Sequence, residues 1–195
     1  MNTACRAGEK GFTLLEMLTV MAIVLLILGF ALPAFRDLKT ESDLVHTGAM
    51  VADQIALARQ EALTFNREVQ LLFLSLDDET AGWTALVRVH VMQGANGREL
   101  RRVGQVQHFS PGILCSAAFS TLLDGNALSG TLPVPPYGSV EYRGFRIRPN
   151  GGLGRGTGTP PYIIFHSRHD PASSPRNSLV IQLGPLTARA VIFRP

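Results

Sequence analysis

Residues 12–35 read FTLLEMLTVMAIVLLILGFALPAF, and Glu16 is the one charge in the stretch. At about 1.5 Å per residue a helix of this length runs roughly 36 Å, enough for a hydrocarbon core of about 30 Å. Lys10 closes the run on one side and Arg36 on the other. A helix buried in a soluble core seldom carries so long an apolar run. A cleaved signal peptide has a shorter apolar core, about 7–15 residues, although Gly29-Phe30-Ala31 offers a small-x-small step. A plain anchor explains the length but not Glu16. A carboxylate in hydrocarbon costs about 2.5–3.5 kcal/mol, and such residues carry function. The pattern predicts a membrane-spanning segment over 12–35 whose Glu16 needs a partner.

Outward from this run, the chain of 195 residues has the size of one modest domain. It is 46% hydrophobic and 17% charged, with a mean hydropathy of +0.16. That excludes a disordered chain, which combines low hydrophobicity with high net charge. Cys5 and Cys115 are too few for a disulfide framework or a four-cysteine zinc site. Past Pro33, apolar or small residues recur at Leu38, Val45, Ala49, Ala52, Ile55 and Ala62. Those steps have helical periodicity and predict one helix from Phe12 to Phe65, closing near Asn66. Pro33 cannot donate to the carbonyl of Gly29, so a kink is expected between them.

After Asn66 the pattern turns to short β-like runs separated by turn residues. They fall at 68–76, 83–93, 101–109, 139–148, 162–166, 178–183 and 188–193. Val87, Val89 and Val91 alternate with Arg88 and His90, which predicts a sheet with one wet face. Residues 113–136 read as a loop or insertion, and 150–161 as a Gly-rich loop. The expected architecture is α+β. Residues 36–66 form the amphipathic half of the helix, and 67–195 form a β-rich head.

Gly11-Phe12-Thr13-Leu14-Leu15-Glu16, with Lys10 before it and the apolar run and Pro33 after it, resembles the processing site of type IV prepilins and type II secretion pseudopilins. The resemblance implies a pilin fold, one long helix followed by an antiparallel sheet. It implies that residues 1–11 are a leader which prepilin peptidase removes after Gly11, and that Phe12 is then N-methylated. Glu16, fifth in the mature chain, would pair with the new amine of a neighbouring subunit. Gly29 and Pro33 would mark a stretch that loosens during packing. Other implied partners are further pilin or pseudopilin subunits, an inner-membrane assembly platform and lipid. The N-terminus would be cytoplasmic and the head periplasmic, with no cofactor. The head is similar to minor pseudopilin H of type II secretion and to the pilin-like D proteins of verrucomicrobial gene cassettes. Residues 58–62, Trp83, the Arg148-Pro149-Asn150-Gly151 segment and the closing Leu186-Thr187-Ala188-Arg189 carry that likeness. Many relatives would show glycine where this chain has Ala188.

No enzyme motif stands out. Residues 152–158 are Gly-rich, but no Gly-Lys-Ser/Thr follows. His166-Ser167-Arg168-His169-Asp170 reads as a solvated loop rather than a metal site or a triad, whose members converge in space. Cys115 reads as a buried thiol or as one half of an intermolecular disulfide. Charge is lopsided: residues 12–79 carry 4 basic and 10 acidic side chains, and residues 80–195 carry 12 and 4. Arg143, Arg146, Arg148 and Arg155, or Arg189 and Arg194, form a candidate anion patch. Alternation in strands also places arginines on a wet face. Three classes follow: a filament subunit, a DNA-binding minor pilin using this patch, and a singly anchored binding protein without a filament.

Overall fold

The structure is a computed structural model, and it describes residues 12–76, 82–94, 97–125, 127–154, 160–171, 175 and 177–194. The chain divides into two compact units, Met1–Lys39 and Thr40–Pro195. Helix α1, Leu14–Phe65, begins in the first and ends in the second. It is continuous in backbone conformation through Pro33.

In the first unit α1 is apolar on every side. Leu14 is 84% exposed and Phe30 78%, and Leu15, Met21 and Leu25 are exposed with them. A helix hydrophobic all round has to be covered by something other than water. Among the described residues no helix is long and apolar enough to cross a membrane. The expected span over 12–35 runs on past Phe30 into side chains that lie outside those described.

In the second unit one stripe of α1 is buried: Leu44, Thr47, Gly48, Val51, Ile55, Ala58 and Ala62. Their steps of three and four residues keep them on one face. This corrects the expected stripe. Ile55 and Ala62 belong to it, but Leu38, Val45 and Ala49 are exposed and Ala52 is only half-buried. The helix carries two apolar faces, and periodicity alone does not say which one a sheet covers. Gly48 is chosen by contact, since a Cβ there would lie 2.7 Å from the Leu179 side chain. The helix closes as expected at Asn66, whose φ of 48° is left-handed, and the Arg67 N–H donates to the Ala62 carbonyl at 3.2 Å. That six-to-one bond is a Schellman closure.

The head holds two antiparallel sheets rather than the single one expected. The first has order β3-β2-β1-β6-β5, from β1 Val69–Leu74, β2 Ala85–Gly94, β3 Gly97–His108, β5 Leu128–Val134 and β6 Gly138–Ile147. The second has order β4-β7-β8-β9, from β4 Ile113–Ser116, β7 Tyr162–Ser167, β8 Ser178–Leu183 and β9 Ala190–Phe193. Residues 113–136 are therefore not a loop: they supply β4, a 3-10 turn Thr121–Leu123, and β5. β4 is buried at all four positions, so it shows no alternation, and β5 contains a glycine and a proline that strand propensity disfavours.

One core cluster joins the buried stripe of α1 to both sheets, through Leu71, Phe73, Phe145, Phe165, Leu179 and Ile181 among others. The other face of the first sheet has its own cluster, including Leu72, Leu74, Val87, Val89, Leu132 and Val134. Both faces of β2 are therefore covered, and the expected wet face is corrected. Arg88 and His90 sit opposite Leu71 and Val69 and meet Glu61 of α1. Gly144 is fixed by close approach, since a Cβ there would stand 2.1 Å from the Leu71 carbonyl oxygen.

Candidate functional site

The N-terminal motif opens α1. Gly11 lies outside the described residues, and Phe12 is exposed. The Thr13 hydroxyl accepts the Glu16 backbone N–H at 3.2 Å, and the Thr13 carbonyl accepts those of Glu16 and Met17. Thr13 is thus an N-cap with an acid three residues on, in the capping-box spacing. Helix chemistry gives Glu16 one reason to be there, because a carboxylate in the first turn sits well with the helix dipole. Its side chain is nevertheless exposed and open to a further partner. Thr19, deeper in the apolar run, satisfies its hydroxyl internally by donating to the Leu15 and Glu16 carbonyls at 3.1 and 2.9 Å. Nothing lies within 4 Å of where a Gly29 Cβ would be. The Pro33 side chain is outside the described residues.

The arginines of the anion patch are not gathered into one site. Arg143 and Arg146 are on opposite faces of β6, opposite Phe73 and Gln70. Arg143 donates to the Leu123 carbonyl at 3.0 Å, Arg146 approaches Glu68 at 3.7 Å, and Arg148 donates to the Gly154 carbonyl at 3.1 Å. Arg194 pairs with Glu41 at 2.8 Å. Arg155 lies outside the described residues. Arg189 differs: it is exposed and lines an open groove of about 570 Å³ with Pro161, Gln182, Pro185, Val191 and Phe193.

The remaining reactive side chains are held within the head. Cys115 is a free thiol, fully buried, and burial pushes its pKa well up, against a smaller lowering by a hydrogen bond with Ser120. A thiol kept protonated is a poor nucleophile. Ser120 donates to the Ser116 carbonyl and accepts the Ile164 N–H, which ties the 3-10 turn to β7. His166 is buried with Nδ1 2.9 Å from the Ser167 carbonyl oxygen, and Asp170 accepts the Asn177 N–H at 3.2 Å. Among the described residues no three His, Cys, Asp or Glu side chains come together to hold a metal.

Sequence reading misses the Glu61 cluster. Arg88 donates to Glu61 at 2.8 Å, His90 Nε2 lies 3.2 Å from its other oxygen, and the Phe65 ring lies tilted at 55° to the His90 ring with centroids 5.8 Å apart. The available signal is an arginine and a histidine two apart on the face of β2 that alternation assigns to water, where α1 supplies Glu61 instead.

The chain matches a family model described as the prokaryotic N-terminal methylation motif over residues 6–32. None of the curated proteins compared matches it. Among solved structures it is similar to the minor pseudopilin EpsH from the type 2 secretion system of Vibrio cholerae. The identity is 10%, the match covers 78% of this chain and 96% of that one, and the TM-score is 0.41.

Proposed function

We propose that this chain is a structural, non-enzymatic subunit of a type II secretion pseudopilus or a type IV pilus-like filament. The observation that carries the reading is the methylation motif over 6–32. In this reading prepilin peptidase cuts after Gly11, Phe12 becomes the methylated N-terminus, and residues 12–35 hold the subunit in the inner membrane before assembly. The exposed apolar surface from Leu14 to Phe30 suits lipid first and neighbouring helices afterwards. Glu16 then meets the amine of a neighbour. An ion pair in a low-dielectric setting is far stronger than in water, and desolvation of the two charges takes back part of that gain. The second apolar face of α1, with Val45 and Ala49 exposed, gives the head-bearing half a surface for neighbouring subunits.

Mass spectrometry of the protein purified from membranes tests this. Phe12 is expected at the N-terminus, carrying a methyl group, and substitution of Gly11 is expected to leave the leader in place. An intact Met1, or a terminus near Leu32, would overturn the reading. Glu16→Ala is expected to insert as well as the parent or better, since a charge leaves the hydrocarbon, and to fail in assembly. Normal assembly of that variant would remove the paired-charge account.

A further inference from the structure

The two sheets have four edge strands, and three of them are closed to further pairing. β3 presents the exposed charges Glu99, Arg101 and Arg102 and has an irregular register against β2. β5 carries Pro133, which has no N–H to offer. β4 is buried, and its edge is taken by Trp83, whose N–H and carbonyl bond with Cys115 at 3.0 and 2.9 Å. These are the devices by which natural sheets protect an edge. β9 has none of them. Its four residues are Ala190, Val191, Ile192 and Phe193, and the last three are 42–49% exposed.

The ladder shows which backbone groups β9 leaves open. Gly184 donates to the Arg189 carbonyl at 2.9 Å, and Gln182 and Val180 stand opposite Val191 and Phe193. Antiparallel bonding alternates along a strand. Val191 and Phe193 therefore bond inward to β8, on the side where the Arg189 carbonyl meets Gly184, and the N–H and carbonyl groups of Ala190 and Ile192 point outward. On one face of this edge lies the groove lined by Arg189, Val191 and Phe193. Among the described residues the Arg189 guanidinium makes no ion pair, whereas Arg194 is neutralised by Glu41.

We infer that β9 and its groove form a docking edge for an extended segment of a different protein chain, apolar in its alternate side chains and bearing a carboxylate that meets Arg189. Strand addition of this kind takes affinity from main-chain bonds and specificity from alternate side-chain positions. Charge complementarity selects the partner. A second copy of β9 brings Arg189 and Arg194 and no acidic side chain, so it sets like charges against each other. The inference goes beyond the filament reading and stands independently of it, because no part of it uses residues 1–39.

The test uses the full chain in detergent micelles. The probe is a C-terminally amidated synthetic peptide of about eight residues alternating valine and threonine and ending in glutamate. Its twin ends in lysine. Hydrogen exchange at the Ala190 and Ile192 amides is expected to slow at least about tenfold with the glutamate peptide and much less with the lysine peptide. Arg189→Glu is expected to invert that preference while leaving the circular dichroism spectrum unchanged, since the side chain is exposed. Ile192→Pro removes an outward donor and is expected to abolish protection. Val191→Asp is the second variant should the proline disturb the head, and it is expected to weaken the glutamate peptide alone. No protection by either peptide at millimolar concentration would overturn the proposal. So would equal protection by both, or protection that rises with protein concentration in the absence of peptide, which would make a second copy the occupant.

Discussion

Glu61 holds Arg88 and His90 with side chains only 13–19% exposed, so the Arg88 charge has little water to fall back on. Glu61→Ala leaves that cation without its partner. The expected loss is about 2–3 kcal/mol, below the range for a fully buried pair because some solvent reaches the site. A thermal melt of the full chain in detergent reads it directly. Asn66 is a second sensitive position, since its φ of 48° suits glycine or asparagine but not a β-branched residue. Asn66→Val is expected to cost about 1–2 kcal/mol, and Asn66→Gly to be close to neutral. The Ala188 backbone, φ 45°, occupies the same left-handed region. Glycine suits that geometry without strain, and this chain accepts the strain of an alanine while burying the methyl. Cys115 gives a dependence on pH. Burial raises its pKa in the folded state, so folding favours the protonated thiol. Its contribution is fully present below the thiol's ordinary value of 9.0 and is lost as pH rises beyond it, by about 1.4 kcal/mol per unit. A thiol reagent at pH 8 is expected to leave Cys115 unlabelled in the native chain and to label it on unfolding.

α1 shows where sequence alone is decisive and where it is not. Its end and its overall length are legible, because an apolar run and an asparagine stop are local chemistry, while its start, expected at Phe12, falls at Leu14 behind the Thr13 cap. Its buried face is not. Val45 and Ala49 satisfy helical spacing as well as Leu44 and Val51 do, and only the position of the sheets separates them. The same limit explains β4, a buried four-residue strand whose pairing with β7 is a long-range event that leaves no alternation to read. It also explains Arg143, Arg146, Arg148 and Arg194, whose partners Leu123, Glu68, Gly154 and Glu41 are set by tertiary contact. The two faces of α1 make opposite predictions. Ile55→Ala is expected to cost about 2–5 kcal/mol of stability. Val45→Glu, on an exposed position, is expected to change stability by no more than about 0.5 kcal/mol and to impair assembly. Melting curves and filament yield, measured on both variants, separate the roles.

Both buried clusters begin at or beyond Leu44, so removing residues 1–39 takes no side chain from either. A chain starting at Thr40 is therefore expected to fold, with a melting temperature within a few degrees of the parent, and circular dichroism checks this. Its candidate patch arginines are dispersed, and Arg143, Arg146, Arg148 and Arg194 are engaged internally, so its affinity for duplex DNA at moderate salt is expected to be about 10⁻⁴ M or weaker. Fluorescence anisotropy over a salt series measures it. Micromolar, salt-steep binding that disappears with Arg146→Ala and Arg148→Ala would make the head a nucleic-acid module instead. The buried stripe of α1 has a mechanical consequence as well. Leu44, Val51, Ile55, Ala58 and Ala62 lie in series along one helix and are set into a core shared with both sheets. A tug along the helix axis loads all of these contacts at once, in shear, and no single one can be peeled away first. The Schellman turn at Asn66 and the Glu61 pair sit at the far end of that series, where they act as its clamp.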